Sequence, residues 1–84
     1  MARLSKFSQI DGNRGNAYEL VYDDGRHLMI SYETLVAGFS PTFGWLKTDK
    51  YYSKVTLKQI ENYFLNNDAK VTRVSQSALE DALL

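Results

Sequence analysis

Val55-Thr56-Leu57-Lys58-Gln59-Ile60 decides the fold, because it opens the one strong helical pattern in a chain otherwise rich in strand signals. Thr56 is placed to accept the Gln59 backbone N–H while the Gln59 side chain returns to the Thr56 N–H. That is a capping box, with Val55 and Ile60 as the hydrophobic staple. Leu57, Ile60, Phe64 and, beside them, Tyr63 share one face at helical spacing, and Asn66-Asn67 supplies a stop. The pattern predicts an amphipathic helix of about ten residues running from Thr56 towards Asn66.

Outward from this helix the signals are those of strands. Tyr18, Leu20 and Tyr22 alternate with Glu19 and Val21, so Ala17 to Tyr22 reads as a strand with one face inward. Before it, Lys6 to Ile10 is a short segment set off by Asp11-Gly12-Asn13-Arg14-Gly15-Asn16, a cluster of turn formers. After it, Asp23-Asp24-Gly25-Arg26 is a hairpin signal, with the partner strand starting near His27. The run from His27 to Phe39 is too long for one ordinary strand, and Leu28, Ile30 and Tyr32 fall out of phase with Leu35 and Ala37. A bulge or bend near Ser31 to Thr34 is therefore expected. Ser40-Pro41-Thr42-Phe43-Gly44 makes a turn, Trp45 to Thr48 the returning strand, and Lys70 to Val74 a further short strand. A second helix opens at Ser75 or Ser77, with Leu79, Leu83 and Leu84 as its apolar contacts. The expected fold is α+β: a small, mostly antiparallel sheet of four or five strands, covered by one amphipathic helix in a two-layer domain, with a short C-terminal helix.

The 84 residues form a single domain, 1–84, with no cysteine to staple it. A core this small makes homo-oligomerisation a live expectation. Ten basic and ten acidic side chains cancel, which removes the electrostatic footprint of a protein that grips many phosphates and equally that of an acidic nucleic-acid mimic. The second half is nonetheless richer in cations, with Lys47, Lys50, Lys54, Lys58, Lys70 and Arg73, and leaves room for a local basic face. Met1 to Ser8 carries no long apolar run and no stretch approaches a membrane span, so the expectation is a cytosolic protein without membrane contact.

Ser31-Tyr32-Glu33-Thr34-Leu35-Val36-Ala37, followed by Tyr52-Ser53-Lys54-Val55-Thr56-Leu57-Lys58-Gln59-Ile60, resembles small proteins of unknown function carried by bacteriophages and mobile elements. These pair an SYxTLVA strand with a later YSxTTxKHI helix start. Val55 stands where a threonine is common, and Gln59 where a histidine is common. The motifs fall within positions 28–64. The resemblance implies phage origin and a compact fold, which with the cytosolic expectation above gives the cytoplasm of the bacterial host as the expected location; it implies no biochemical activity.

Catalysis is argued against on inventory. Acid–base and nucleophilic chemistry at neutral pH recruit histidine, cysteine or carboxylates of shifted pKa, and here the one histidine, His27, begins a strand after a turn. Asp23-Asp24 ahead of Gly25 reads as a turn rather than a metal pair. Gly12 and Gly15 lack the strand–helix context and the lysine of a phosphate loop. No enzyme activity, cofactor or metal is expected. What rises above background is the aromatic supply of the middle third: Tyr32, Phe39, Phe43, Trp45, Tyr51 and Tyr52. Adjacent strand residues point to opposite faces, so Tyr51 and Tyr52 cannot both enter one two-layer core, and one ring should lie exposed beside Lys50 and Lys54. The expected partner-binding residues are Tyr51, Tyr52, Trp45, Lys50, Lys54 and Lys58. The function expected is that of a non-enzymatic phage accessory factor that binds and modulates or inhibits a host protein, for example a defence component. The alternative is nucleic-acid or nucleotide binding through the lysine and aromatic surface of residues 45–58.

Overall fold

A computed structural model of the protein describes residues 3–9, 17–64 and 70–84. The turn cluster of residues 11–16 and the Asn66-Asn67 stop lie outside the described residues.

Among the described residues, six strands and two helices follow one another as β1 (Leu4–Gln9), β2 (Ala17–Tyr22), β3 (His27–Ser31), β4 (Thr34–Ser40), β5 (Gly44–Thr48), α1 (Lys54–Tyr63), β6 (Thr72–Val74) and α2 (Gln76–Leu83). The strands lie in one sheet in the order β1-β2-β3-β4-β5-β6. The first five form an antiparallel meander, and β6 joins β5 in parallel after the α1 crossover. The protein is thus α+β as expected, with a sheet larger than the four or five strands read from the sequence.

The difference arises largely in the run from His27 to Phe39. A bulge or bend was expected near Ser31 to Thr34; the chain instead reverses there, with Ser31 opposite Thr34 and only Tyr32 and Glu33 between them. Both turn residues have positive φ, 49° and 69°, the pattern of a type I′ turn, which usually takes Asn-Gly. The phase slip is real but lies further on. Met29 pairs with Ala37 and Ile30 with Leu35, leaving Val36 as the extra residue of a bulge. Val36 and Ala37 consequently both pack on the α1 side. The Asp23-Asp24-Gly25 turn forms as expected: the Gly25 N–H donates to the Tyr22 carbonyl at 3.1 Å, and Gly25 takes φ 98°. Asp24 accepts the Arg26 backbone N–H, which holds its carboxyl below the usual value.

Alternation along the strands divides the core in two. Leu28, Leu35 and Leu46 pack with Leu79 and Leu83 of α2, whereas the neighbouring Met29, Val36 and Ala37 pack with Ile60 and Phe64 at α1. Consecutive strand residues point to opposite faces, so each face of the sheet carries its own helix. This corrects the two-layer expectation of one covering helix: α2, though only eight residues long, buries Leu79 and Leu83 completely. Its third expected contact, Leu84, is exposed. Ser75 caps it by accepting the Ala78 N–H at 3.1 Å. Gln76 Nε2 donates to the Leu35 carbonyl at 2.8 Å, and Arg26 Nη1 to the Leu83 carbonyl at 2.6 Å.

The start of α1 is also corrected. Ser53, not Thr56, is the N-cap, and its Oγ accepts the Thr56 N–H at 3.1 Å. The capping motif begins one turn earlier than read, which turns Thr56 and Gln59 inward; both are buried. Leu57, assigned to the inner face, is exposed instead.

Candidate functional site

Where β6 joins β5, Lys47 stands directly opposite Arg73. The residue before Lys47 in β5, Leu46, belongs to the α2 core, so the Lys47 and Arg73 side chains fall on the α1 side. Two cations side by side repel each other unless carboxylates stand near, and Asp49 and Glu61 line the same groove. The segment beyond β5 is held by two bonds. The Asp49 N–H donates to the Val74 carbonyl at 2.8 Å, and the Lys50 N–H to Thr48 Oγ1 at 3.2 Å. It delivers Lys50 and the ring of Tyr51, which is 64% exposed. Leu57, Ile60, Glu61 and Phe64 of the α1 segment build the opposite wall. The result is a groove of about 550 Å³ whose lining includes the cations Lys47, Lys50 and Arg73 and the carboxylates Asp49 and Glu61.

Of the residues expected to bind a partner, Lys50 and Tyr51 line this groove. Tyr52 is half-buried against the α1 core, with the Lys50 ammonium 5.1 Å from its ring centroid. Lys54 and Lys58 are exposed on α1 and stand outside the groove lining. Trp45 is elsewhere: its ring makes edge-on contacts with His27, Phe39, Tyr63 and Phe64 at centroid distances of 4.9–6.0 Å. It braces the α1 face and is not in the groove lining with Tyr51. The argument that one buried face could not satisfy these rings fails too, since both faces are covered; Tyr51 is exposed because it lies in a connection beyond the sheet. Arg73 and Leu57 line the groove without having been read as binding residues, and Lys47 had been included only in the alternative surface of residues 45–58. The excess of cations in the second half was visible, but their meeting depends on a parallel strand pairing that local pattern does not reveal.

A second depression, of about 440 Å³, is lined by Ser31, Tyr32, Thr34, Tyr52, Ser53, Val55 and Thr56. The Ser31 end of β3 and the start of α1 meet beneath it. Ser31 Oγ donates to Gln59 Oε1 at 2.5 Å and lies 3.1 Å from Thr56 Oγ1, while Ser53 Oγ donates to Thr56 Oγ1 at 3.2 Å. Proton inventory fixes the direction of the run. The Gln59 carbonyl oxygen can only accept, so the Ser31 proton goes there, Thr56 must donate to Ser31, and Ser53 to Thr56. Gln59 is therefore the terminal acceptor of a largely buried hydroxyl relay that ties β3 to α1.

Sequence reasoning also missed what His27 joins. Its Nδ1 lies 3.1 Å from Glu19 Oε2, and the Tyr63 hydroxyl donates to the same oxygen. Burial, followed by that bond and the Glu19 charge, pushes the Tyr63 hydroxyl pKa well above its ordinary value. The triad links β2, β3 and α1 across the sheet face. Among the described residues, no group of three or more histidine, cysteine or acidic side chains is placed to hold a metal ion, and no helix is long and apolar enough to cross a membrane.

Fold and groove together define a small α+β protein with a six-stranded, mostly antiparallel sheet between two helices. The chain belongs to a family of unknown function, DUF8033, whose model matches residues 5–81. No curated protein and no solved structure matches it.

Proposed function

We propose that this protein is a non-enzymatic binding module that engages a partner protein through the groove between α1 and the β5–β6 edge. The observation that carries the reading is the placement of Lys47 beside Arg73 on one side of the groove, with the exposed Tyr51 ring in its lining. Paired cations orient an acidic group, and a rigid exposed ring with Leu57 beside it offers the apolar anchor on which interface affinity concentrates. Asp49 and Glu61 in the same groove favour a partner of mixed polarity over a uniformly anionic one. The resemblance to phage proteins extends the proposal: an accessory factor, acting in the cytoplasm of the bacterial host, that modulates or inhibits a host protein such as a defence component.

The test is affinity isolation from infected cells with tagged wild type, Tyr51→Ala and Arg73→Glu in parallel, followed by titration of the recovered partner in purified form. Both substitutions fall on exposed residues and should leave the fold intact. Each should weaken the purified interaction, Tyr51→Ala by more than about 1 kcal/mol. A partner that binds all three proteins equally would refute the groove as its site.

Nucleic acid is the second reading, favoured by the proximity of Lys47, Lys50 and Arg73 to Tyr51 in one groove. Binding of single-stranded oligonucleotides that falls steeply as salt rises would support it. Binding absent even at low salt would remove it.

A further inference from the structure

β6 is the last strand of the sheet among the described residues, so its outer row of backbone N–H and C=O groups has no strand partner. The surfaces flanking this edge differ in chemistry. On the α1 side lies the groove lined by Lys47, Lys50 and Arg73 together with Asp49 and Glu61, and Arg73 is the charge that β6 itself carries there. On the α2 side a depression of about 290 Å³ is lined by Phe43, Leu46, Thr72, Val74, Ala78 and Ala82, and Phe43 at its rim is 66% exposed. Alternation along β6 joins the two: Arg73 belongs to the cationic side, Thr72 and Val74 to the apolar side.

A strand laid against β6 would obey the same alternation. Every second side chain would stand beside Arg73 and those between would enter the apolar depression. We infer that the partner presents an extended segment of alternating acidic and apolar residues, which adds to the sheet as a seventh strand along β6. Backbone hydrogen bonds supply the common affinity of such strand addition, and the two flanking surfaces supply its specificity. This rests on the proposed binding function of the groove and goes beyond it by fixing the partner's conformation and residue pattern.

The probe is a labelled, end-capped octapeptide alternating valine and glutamate, titrated into the full chain by fluorescence anisotropy and by amide chemical shifts. The alternating peptide should bind and shift the amides of Thr72 to Val74. It should weaken at least tenfold when lysine replaces glutamate, when the same residues are arranged as two blocks, and when the protein carries Arg73→Glu. N-methylation of alternate peptide nitrogens should abolish binding in one phase, which blocks the pairing edge, and spare it in the other. The inference is overturned by absence of binding, by equal tolerance of both methylation phases, or by shifts at Leu4 to Phe7 of the opposite edge. Binding and shifts produced by an oligonucleotide but not by the peptide would overturn it in favour of nucleic acid. If the peptide fails while Tyr51→Ala and Arg73→Glu still cost affinity for an isolated partner protein, strand addition is refuted and the groove reading stands. If those variants are silent as well, both fall.

Discussion

Replacing Gln59 with leucine removes the terminal acceptor of the Ser53–Thr56–Ser31–Gln59 relay while roughly keeping its volume. Ser31 and Thr56 are 2% and 4% exposed, so whichever of these two hydroxyl protons loses its acceptor cannot turn to water. A buried donor left without a partner costs about 1–3 kcal/mol, out of a total stability of roughly 5–15 kcal/mol for a domain. With a urea m-value of about 1 kcal/mol/M for a chain of this size, the midpoint should fall by ~1–3 M. Adding Ser31→Ala to Gln59→Leu removes both ends of the bond and should recover part of the loss, giving a coupling energy of about 0.5–3 kcal/mol in the double-mutant cycle. Gln59→His adds a pH signature. A neutral imidazole can accept the Ser31 proton, whereas an imidazolium cannot, and burial opposes the charged form, so the folded-state pKa lies below the unfolded value of about 6.5. Stability should then be present above that pH and be lost as pH falls below it, since the unfolded chain binds the proton more readily. Urea curves of wild type and the variants between pH 5 and 8 provide the measurement. A Gln59→Leu protein as stable as wild type, with no coupling to Ser31→Ala, would refute the relay.

Three further outcomes follow from the geometry. Changing Tyr32-Glu33 to Asn-Gly relieves two positive-φ positions and should stabilise the protein by about 1–3 kcal/mol in chemical denaturation; no gain would mean that the turn is not type I′. An alanine Cβ at Gly38 would sit 2.1 Å from the His27 carbonyl oxygen and 2.8 Å from Leu83 Cδ1, so Gly38→Ala should cost at least about 1–3 kcal/mol, read as a lowered melting temperature. The raised Tyr63 pKa means that the unfolded chain ionises first, so its contribution is intact below pH of about 10 and lost as pH rises above it. Tyr63→Phe should cost about 1.5–3 kcal/mol through its bond to Glu19 and flatten the alkaline limb of the stability profile.

Legibility in the sequence followed how local each cause was. Ala17 to Tyr22 could be read at its observed bounds because alternation and the Asp-Gly turn act within a few residues. The helix was found but begun a turn late: Thr56 and Gln59 mimic a capping box while in fact turning inward to Ser31, a contact across 28 positions for Gln59. Tyr32-Glu33 hid a strand reversal, because bulky residues seldom take positive φ and no glycine or asparagine marked the place. The second helix was placed near Ser75, but nothing in its short sequence says that it covers the opposite face. The candidate site was half-legible. Tyr51 and Lys50 were reachable from local reasoning, whereas Lys47 and Arg73 meet only because β6 returns parallel to β5.

The strands lie side by side in the order in which the chain supplies them, and this has a consequence for the route to the native state. Each pairing from β1 to β5 joins consecutive strands and closes a short loop, at little entropic cost and with little search. The meander can therefore grow one hairpin at a time as residues leave the ribosome. Docking of β6 is different, because it must wait until the whole α1 crossover has been synthesised and brought back across the sheet. The five-strand meander can thus form before the edge that sets Lys47 beside Arg73, and a chain truncated after β5 would carry the meander without that edge.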